Sequence, residues 1–488
     1  MKTLNKTRSG TEEANRDSSS YQISIETPYD DLIPHVDDPS VQFYLDAMRI
    51  YLGLCAGSVT MEAALKAVDV LKENPEYTVS PTNPTLVPIN EQYKMKMLEN
   101  LKTLSKFNLF TASAIRSAYN FVFLVEDAPV SENDLTVLSA ICKNPMISLV
   151  DVSNLLNLAP RTVARSLERL RERNSLRVAC LVDYTAFNLQ SVMIFFTLQK
   201  GVEWGQIEQD LSRYPFTKSI LRTAMTDVGY ATFLIPNFEE NMPLFNKSIR
   251  GIGKSVFDYS SIHIQTQSGA KADITLYSND SWDLPGDLEN LLKRDQPVSP
   301  EDYPPLLYST GAKLGFTKED FIVAAQMQLD ARAPPSKLSE RLRMRGIDID
   351  PKKVSTITRK LHSHGLTLPY LIFTLPRLSS NFCFEIICND DWKSHILGTI
   401  KKFPWVMYYL SSRGIIVWTM TPVQHQVEYY QLFRALEQKP GVDSVQPIMT
   451  ISHGGSKSML DLTKDLAYSN GRWSIGSNSI DIANYVDL

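Results

Sequence analysis

The chain repeats itself, and a repeat whose identity has faded while its apolar pattern persists restricts the fold to two units with the same packing needs. Residues 133–156, NDLTVLSAICKNPMISLVDVSNLL, align without a gap on residues 319–342, EDFIVAAQMQLDARAPPSKLSERL, so that Asp134 meets Asp320 and Leu156 meets Leu342. After five extra residues in the second copy, LAPRTVARSLERL (158–170) aligns on IDPKKVSTITRKL (349–361), and Pro160, Val163 and Leu170 meet Pro351, Val354 and Leu361.

The likeness continues downstream. In the first copy an apolar run at Val192 to Leu198 precedes a helical stretch from Trp204 to Tyr214, and two strand-like runs follow about a turn at Gly229. A helical stretch from Glu239 to Ile252 and a strand from Val256 to Ile264 complete it. The second copy gives a strand at Phe382 to Cys388, a helix at Trp392 to Lys402, and strands at Val406 to Leu410 and Ile415 to Met420 about Gly414. A helix at Val423 to Gln438 and a strand at Val442 to Ile451 follow. Both copies read βαββαβ, the ferredoxin-like order. The fold class is therefore α+β.

Upstream of each βαββαβ run lies a helical triplet. In the first, helices are predicted at Asp134 to Asn144, Leu149 to Leu156 and Pro160 to Arg173, with only Asn157, Leu158 and Ala159 between the last two. Two helices joined by so short a turn form a helix-turn-helix. On the third helix Val163, Leu167 and Leu170 make an apolar stripe, and Arg161, Arg165 and Arg169, four apart, lie on the opposite arc. In the second copy Val354, Ile357 and Leu361 form the stripe, with Lys352, Thr356 and Lys360 in the places of the arginines. Pro160 and Pro351 suit the first helical position, and Asp350 is a good N-cap.

Asn144 to Leu176 resembles, without gaps, the helix-turn-helix of the Lrp/AsnC, or feast/famine, transcription regulators, and LVDYTAFNL follows where that family's linking strand runs. The likeness covers residues 131–265 and, through the repeat, 318–452. It implies a tandem pair of winged helix-turn-helix and βαββαβ units that binds double-stranded DNA. Under it, Arg161, Thr162 and Arg165 reach base edges, while Arg169, Arg173, Lys352, Lys353, Thr356 and Lys360 complete the DNA-facing set. It also implies pairing of the βαββαβ units, within the chain or between chains. Asn157 and Asn174 stand where the family has Gly, and Asn tolerates positive φ. The family's amino-acid sensors carry Gly and Asp near the turn between strands two and three. Here Asp227 and Tyr230 stand there, so the likeness does not extend to an amino-acid effector. Siroheme decarboxylases share the paired fold and define an enzyme alternative, but the strands lack clustered histidines. A winged helix that binds protein is the other alternative.

Segment boundaries follow. We expect a disordered polar tail at 1–37, a helical region at 38–130, winged helices at 131–185 and 313–374, βαββαβ units at 188–268 and 378–452, a linker at 269–312 and a tail at 453–488. The net charge of −4 gives the whole chain no attraction for nucleic acid, so any such role rests on local patches. No apolar run approaches the roughly 18 residues of a membrane span, and five cysteines in apolar surroundings read as reduced thiols, which together point to the cytoplasm. Neither a catalytic constellation nor a cofactor or metal site can be assembled from the spacing. Cys383 and Cys388, an odd separation apart on one strand, are expected on opposite faces.

Overall fold

The computed structural model describes residues 23–36, 39–71, 91–110, 114–115, 118–119, 122, 130–222, 228–238, 240–286, 298–313, 315–378, 380–449, 466–476 and 479–486. Helices α1 (Pro39–Ala56), α2 (Met61–Leu71) and α3 (Glu91–Phe107) enclose a core of their own, with Phe43, Met48, Tyr51, Val68, Met97 and Leu101 buried in it. The predicted N-terminal tail needs correction here. Ile33 is buried in that core, and Arg49 holds the preceding turn through Asp30 (3.1 Å) while also bonding Asp46 (2.7 Å). A few apolar residues among polar ones are enough to dock a segment onto an existing surface, which overall composition does not reveal.

The first triplet is α4 (Glu132–Lys143), α5 (Leu149–Leu156) and α6 (Pro160–Arg173). Strand β1 (Arg177–Val182) follows, then β2 (Leu189–Leu198), α7 (Trp204–Arg213), β3 (Thr217–Arg222), β4 (Val228–Pro236), α8 (Asn241–Val256) and β5 (Phe257–Ala272). The spatial order is β5-β2-β4-β3. Gly229 is not a turn residue: it lies inside β4 opposite Phe196, where a Cβ would run into the indole of Trp204.

The predicted linker is also partly structured. β5 runs on to Ala272, a small hairpin forms from β6 (Tyr277–Ser278) and β7 (Ser281–Trp282), and β8 (Leu306–Tyr308) pairs with β5. Buried Trp282 donates to the Pro376 carbonyl at 3.0 Å, fastening the hairpin. The second triplet, α9 (Lys318–Met327), α10 (Pro335–Arg343) and α11 (Pro351–Ser363), leads into β9 (Thr367–Ile372). Then come β10 (Ser380–Cys388), α12 (Asp390–Ile400), β11 (Trp405–Ser411), β12 (Gly414–Thr421), α13 (Gln426–Arg434) and β13 (Val442–Met449), in spatial order β13-β10-β12-β11.

Two pairings join the halves. β5 pairs with β11 antiparallel, from Trp405 opposite Ala272 to Leu410 opposite Gln267, so both sets of strands belong to one sheet of nine. At Gly269 a Cβ would overlap Tyr408 and the Pro305 carbonyl, so a side chain there would push the strands apart. Strands β1 and β9 pair with each other, Arg177 opposite Ile372 through Val182 opposite Thr367. Each triplet thus carries a single strand, and the two strands form one shared ribbon in place of a hairpin in each.

Faces alternate as the pleat requires. Cys388 points into the core beneath the second unit's helices, while Cys383 joins Met193, Phe195, Val228, Ile416 and Ile448 in a separate cluster between the two units' strands. Next to that cluster lies a polar group in which His263, Glu385 and Ser411 are buried and Tyr259 reaches in from the surface. His263 Nε2 sits 2.6 Å from Glu385 Oε1, His263 Nδ1 2.9 Å from the Ser411 hydroxyl, and the Tyr259 hydroxyl donates to Glu385 Oε2 at 3.2 Å.

The predicted C-terminal tail is the last correction. Leu466, Tyr468, Trp473, Ile480 and Ile482 are buried in the main core, and β14 (Ala467–Ser469) and β15 (Arg472–Ser474) form a hairpin. Trp473 donates to the Phe187 carbonyl at 2.7 Å and Tyr214 to the Ile480 carbonyl at 2.9 Å. Apolar side chains among Gly, Ser and Asn close over an exposed edge of core.

Removing one member of a buried hydrogen-bonded pair strands the other without a partner, whereas replacing both removes that penalty. Glu385→Leu is therefore expected to destabilise the protein by about 1 to 3 kcal/mol. The double variant His263→Leu/Glu385→Leu should recover most of the loss in denaturant titration. A double loss equal to the sum of the single ones would show the two groups to be uncoupled.

Candidate nucleic-acid interface

Local sequence fixes the helix-turn-helix. The Ser148 hydroxyl caps α5 by accepting from the Asp151 amide at 3.1 Å, and the helix ends at Asn157, whose φ of +52° is left-handed. The Ser153 hydroxyl then bonds the Leu158 carbonyl at 2.5 Å, locking the turn. Pro160 opens α6, and Val163, Leu167 and Leu170 bury its inner stripe against α4 and α5. At the other end Asn174 does not take positive φ; Ser175 does, at +52°. The Asn174 carbonyl instead accepts from the Thr374 amide at 2.8 Å and its side chain donates to the Thr374 carbonyl at 3.2 Å, tying the helix to the end of the ribbon.

The arginine stripe divides in two. Arg161 and Arg165 are exposed and make no hydrogen bond or ion pair to the described residues, and Thr162 is half-buried beside them. Arg169 is turned inward. Its Nε and Nη2 grip the buried Asp134 carboxylate at 3.1 and 2.5 Å, and Nη2 also reaches the Ser166 hydroxyl at 3.1 Å. Burial alone would raise the Asp134 carboxyl, but Arg169 and the Ser166 and Ser131 hydroxyls more than offset it and hold the group below its ordinary range. The physical reason is the helical pitch: steps of four drift by roughly 40° each, so a stripe that starts outward reaches the flank by its third residue. Arg173 is exposed near the end of the helix. Exposed Glu168 and Glu172 share an arc of about 60° with Arg161 and Arg165, which confines the positive patch to the start of α6.

The second triplet repeats the arrangement. Lys360, aligned with Arg169, bonds Asp320, aligned with Asp134, at 2.7 Å; it also donates to the Gly315 carbonyl at 2.8 Å and lies over the Phe316 ring. Lys353 is engaged by Glu319 at 2.7 Å. Of the four residues predicted to face DNA here, Lys352 and Thr356 are exposed and unpaired with any carboxylate among the described residues; the Thr356 hydroxyl bonds the Lys352 carbonyl at 3.0 Å. The expectation that the cations of both copies face outward is thus corrected for Arg169 and Lys360, whereas Lys353 stays exposed in its pair with Glu319. Asp134 and Asp320 are the residues missed, and the alignment carried the signal, since both copies hold an acid and a cation at matched positions.

Residues 130–174 match the family described as winged helix-turn-helix DNA-binding. No curated protein matches the chain. Among solved structures, the siroheme decarboxylase NirDL aligns at 12% identity over 65% of this chain and 91% of its own, with a TM-score of 0.34. PH0061 aligns at 11% identity over 28% of this chain and 93% of its own, with a TM-score of 0.21. The transcriptional regulator NMB0573 of Neisseria meningitidis, in complex with L-Met, aligns at 13% identity over 28% and 88%, with a TM-score of 0.22. At these scores none of the three assigns a function. The family match and the geometry agree on the class: residues 130–174 form a helix-turn-helix of the winged class.

Arg169 and Arg161 should fail differently. Arg169→Ala is expected to lower stability by about 1 to 3 kcal/mol, toward the lower end because the guanidinium is partly screened by solvent. Arg161→Ala should leave the melting temperature unchanged. Because Asp134 is held below its unfolded value of about 3.9, its contribution is full above roughly pH 4 and disappears as pH falls through the folded-state pKa. Thermal melts of Asp134→Asn should accordingly show a flatter acid limb than the parent protein.

Proposed function

We propose that the chain is a cytoplasmic, sequence-specific DNA-binding transcriptional regulator, a tandem duplication in which two winged helix-turn-helix units and two ferredoxin-like βαββαβ units give one chain what a dimer of the Lrp/AsnC kind assembles from two. The observation that carries this reading is the exposure of Arg161 and Arg165, unpaired among the described residues, on the opening turns of a helix whose opposite stripe is fully buried. The first triplet supplies the main contact: Arg161, Thr162 and Arg165 approach the major groove, and helix α5 braces α6. Lys352 and Thr356 offer the second triplet a smaller contact, and Arg173 a phosphate at the edge. Shared ribbon β1–β9 and sheet pairing β5–β11 support the reading of an internal pseudo-dimer.

The test is binding to duplex DNA at several salt concentrations, starting from a genome-wide footprint to supply the site. Arg161→Ala and Arg165→Ala are each expected to cost about 1 to 3 kcal/mol where a base is read, or to lower the salt slope by about one for each phosphate no longer neutralised. Arg169→Ala, corrected for stability, should leave the slope nearly unchanged. An Arg161→Ala/Arg165→Ala variant that stays folded and binds with unaltered affinity and slope would show the patch to be a solvated face, and failure of the parent to retard any duplex at low salt would favour a protein-binding module.

A further inference from the structure

A cavity of about 280 Å³ lies where the β1–β9 ribbon passes over the strands of both units. This is close to the lower end of the roughly 300 to 1,000 Å³ typical of small-ligand pockets. Its walls mix apolar and aromatic side chains with polar ones: Met193 and Tyr230 come from the first unit, Met407, Tyr409 and Trp418 from the second and Tyr370 from the ribbon, with Thr232, Gln265 and Gln328 among the polar lining. Among the described residues its lining carries one charged side chain, Lys218 of β3, whose ammonium lies 4.8 Å from the centre of the Tyr184 ring and pairs with no carboxylate. The lining also includes Ser191, which is 3% exposed and whose hydroxyl finds no hydrogen-bond partner among the described residues. A buried hydroxyl left unsatisfied is costly and is rare in folded proteins.

We infer that this cavity is a binding site for a small monocarboxylate with an apolar, preferably aromatic, body. The carboxylate takes the Lys218 ammonium, the Ser191 hydroxyl gains its missing partner, and the body lies against the tyrosines, the methionines and Trp418. One cation with no acid beside it among the described residues sets the charge of the ligand. A free amino acid brings an ammonium that meets no carboxylate there, and a polycarboxylated macrocycle brings more charge and bulk than one lysine and this volume can take. The inference does not rest on the DNA-binding reading, because the site is defined without DNA and is tested without it.

The experiment is isothermal titration of the full chain with phenylbutyrate and indole-propionate, with phenylbutanamide and phenylalanine as comparators and thermal melts in parallel. Both carboxylates should bind and raise the melting temperature, the amide should bind about tenfold more weakly, and phenylalanine should give no response. Lys218→Met should lower carboxylate affinity by about tenfold while leaving the amide as it was, and Lys218→Arg should retain binding. Ser191→Leu removes the unsatisfied hydroxyl and fills space, so it should keep the fold, read by near-UV circular dichroism, and abolish binding. No binding of either carboxylate at millimolar concentration, or binding that both Lys218→Met and Ser191→Leu leave unchanged, overturns the proposal.

Discussion

Strand β5 gives its first half to β2 and its second half to β11 and β8, and that change of partner part-way along one strand makes the two halves a single body. Without it, β5 would be the edge of the first unit's strands and β11 the edge of the second's, each presenting a row of unpaired backbone groups. Joining them covers the edge of β11 and that of the second half of β5. It also fixes the register in which the two units meet, so that Met193, Phe195, Cys383, Ile416 and Ile448 close into a core of their own beyond the helix-covered faces. The ribbon β1–β9 then attaches both helix triplets to this body, with the Ala331 amide bonding the Val178 carbonyl at 2.7 Å and Arg332 the Ile147 carbonyl at 2.7 Å. A helix meant to touch a ligand is useful only if its scaffold is rigid, and here that scaffold is the ribbon.

Much of this was legible in the sequence because its elements are short and strongly periodic. Helices α5 and α6 have the ends expected from Ser148, the three-residue turn and Pro160, and strands β10 to β12 lie within about two residues of their apolar runs. What could not be read was the joining. The stretch from Gln265 to Ala272 is small and polar enough to pass for the start of a linker, and only its partner β11, far along the chain, makes it a strand. The segments at each end failed for a related reason: they dock through a few side chains such as Ile33 and Trp473, which leave no period to detect. For the candidate site, spacing alone put Arg161, Arg165 and Arg169 on one face. It could not show that Asp134, thirty-five residues away, would claim the third.

The two halves resemble each other in outline, and among their differences are two pairs of corresponding positions that meet at the seam. In the ladder of the first unit Met193 stands opposite His263, and in that of the second Cys383 stands opposite Ile448. Two residues further along β2 and β10 are Phe195 and Glu385. Across the seam, His263 meets Glu385, while Ile448 and Phe195 share the apolar cluster. Two copies of the first half placed together would set each histidine against a phenylalanine, and two copies of the second would bury each carboxylate against an isoleucine. Both arrangements leave polar groups unmatched in a dry interior, whereas the mixed arrangement satisfies all four. These four side chains therefore make each half a better partner for the other than for a copy of itself, so the seam recognises a complement and not a likeness.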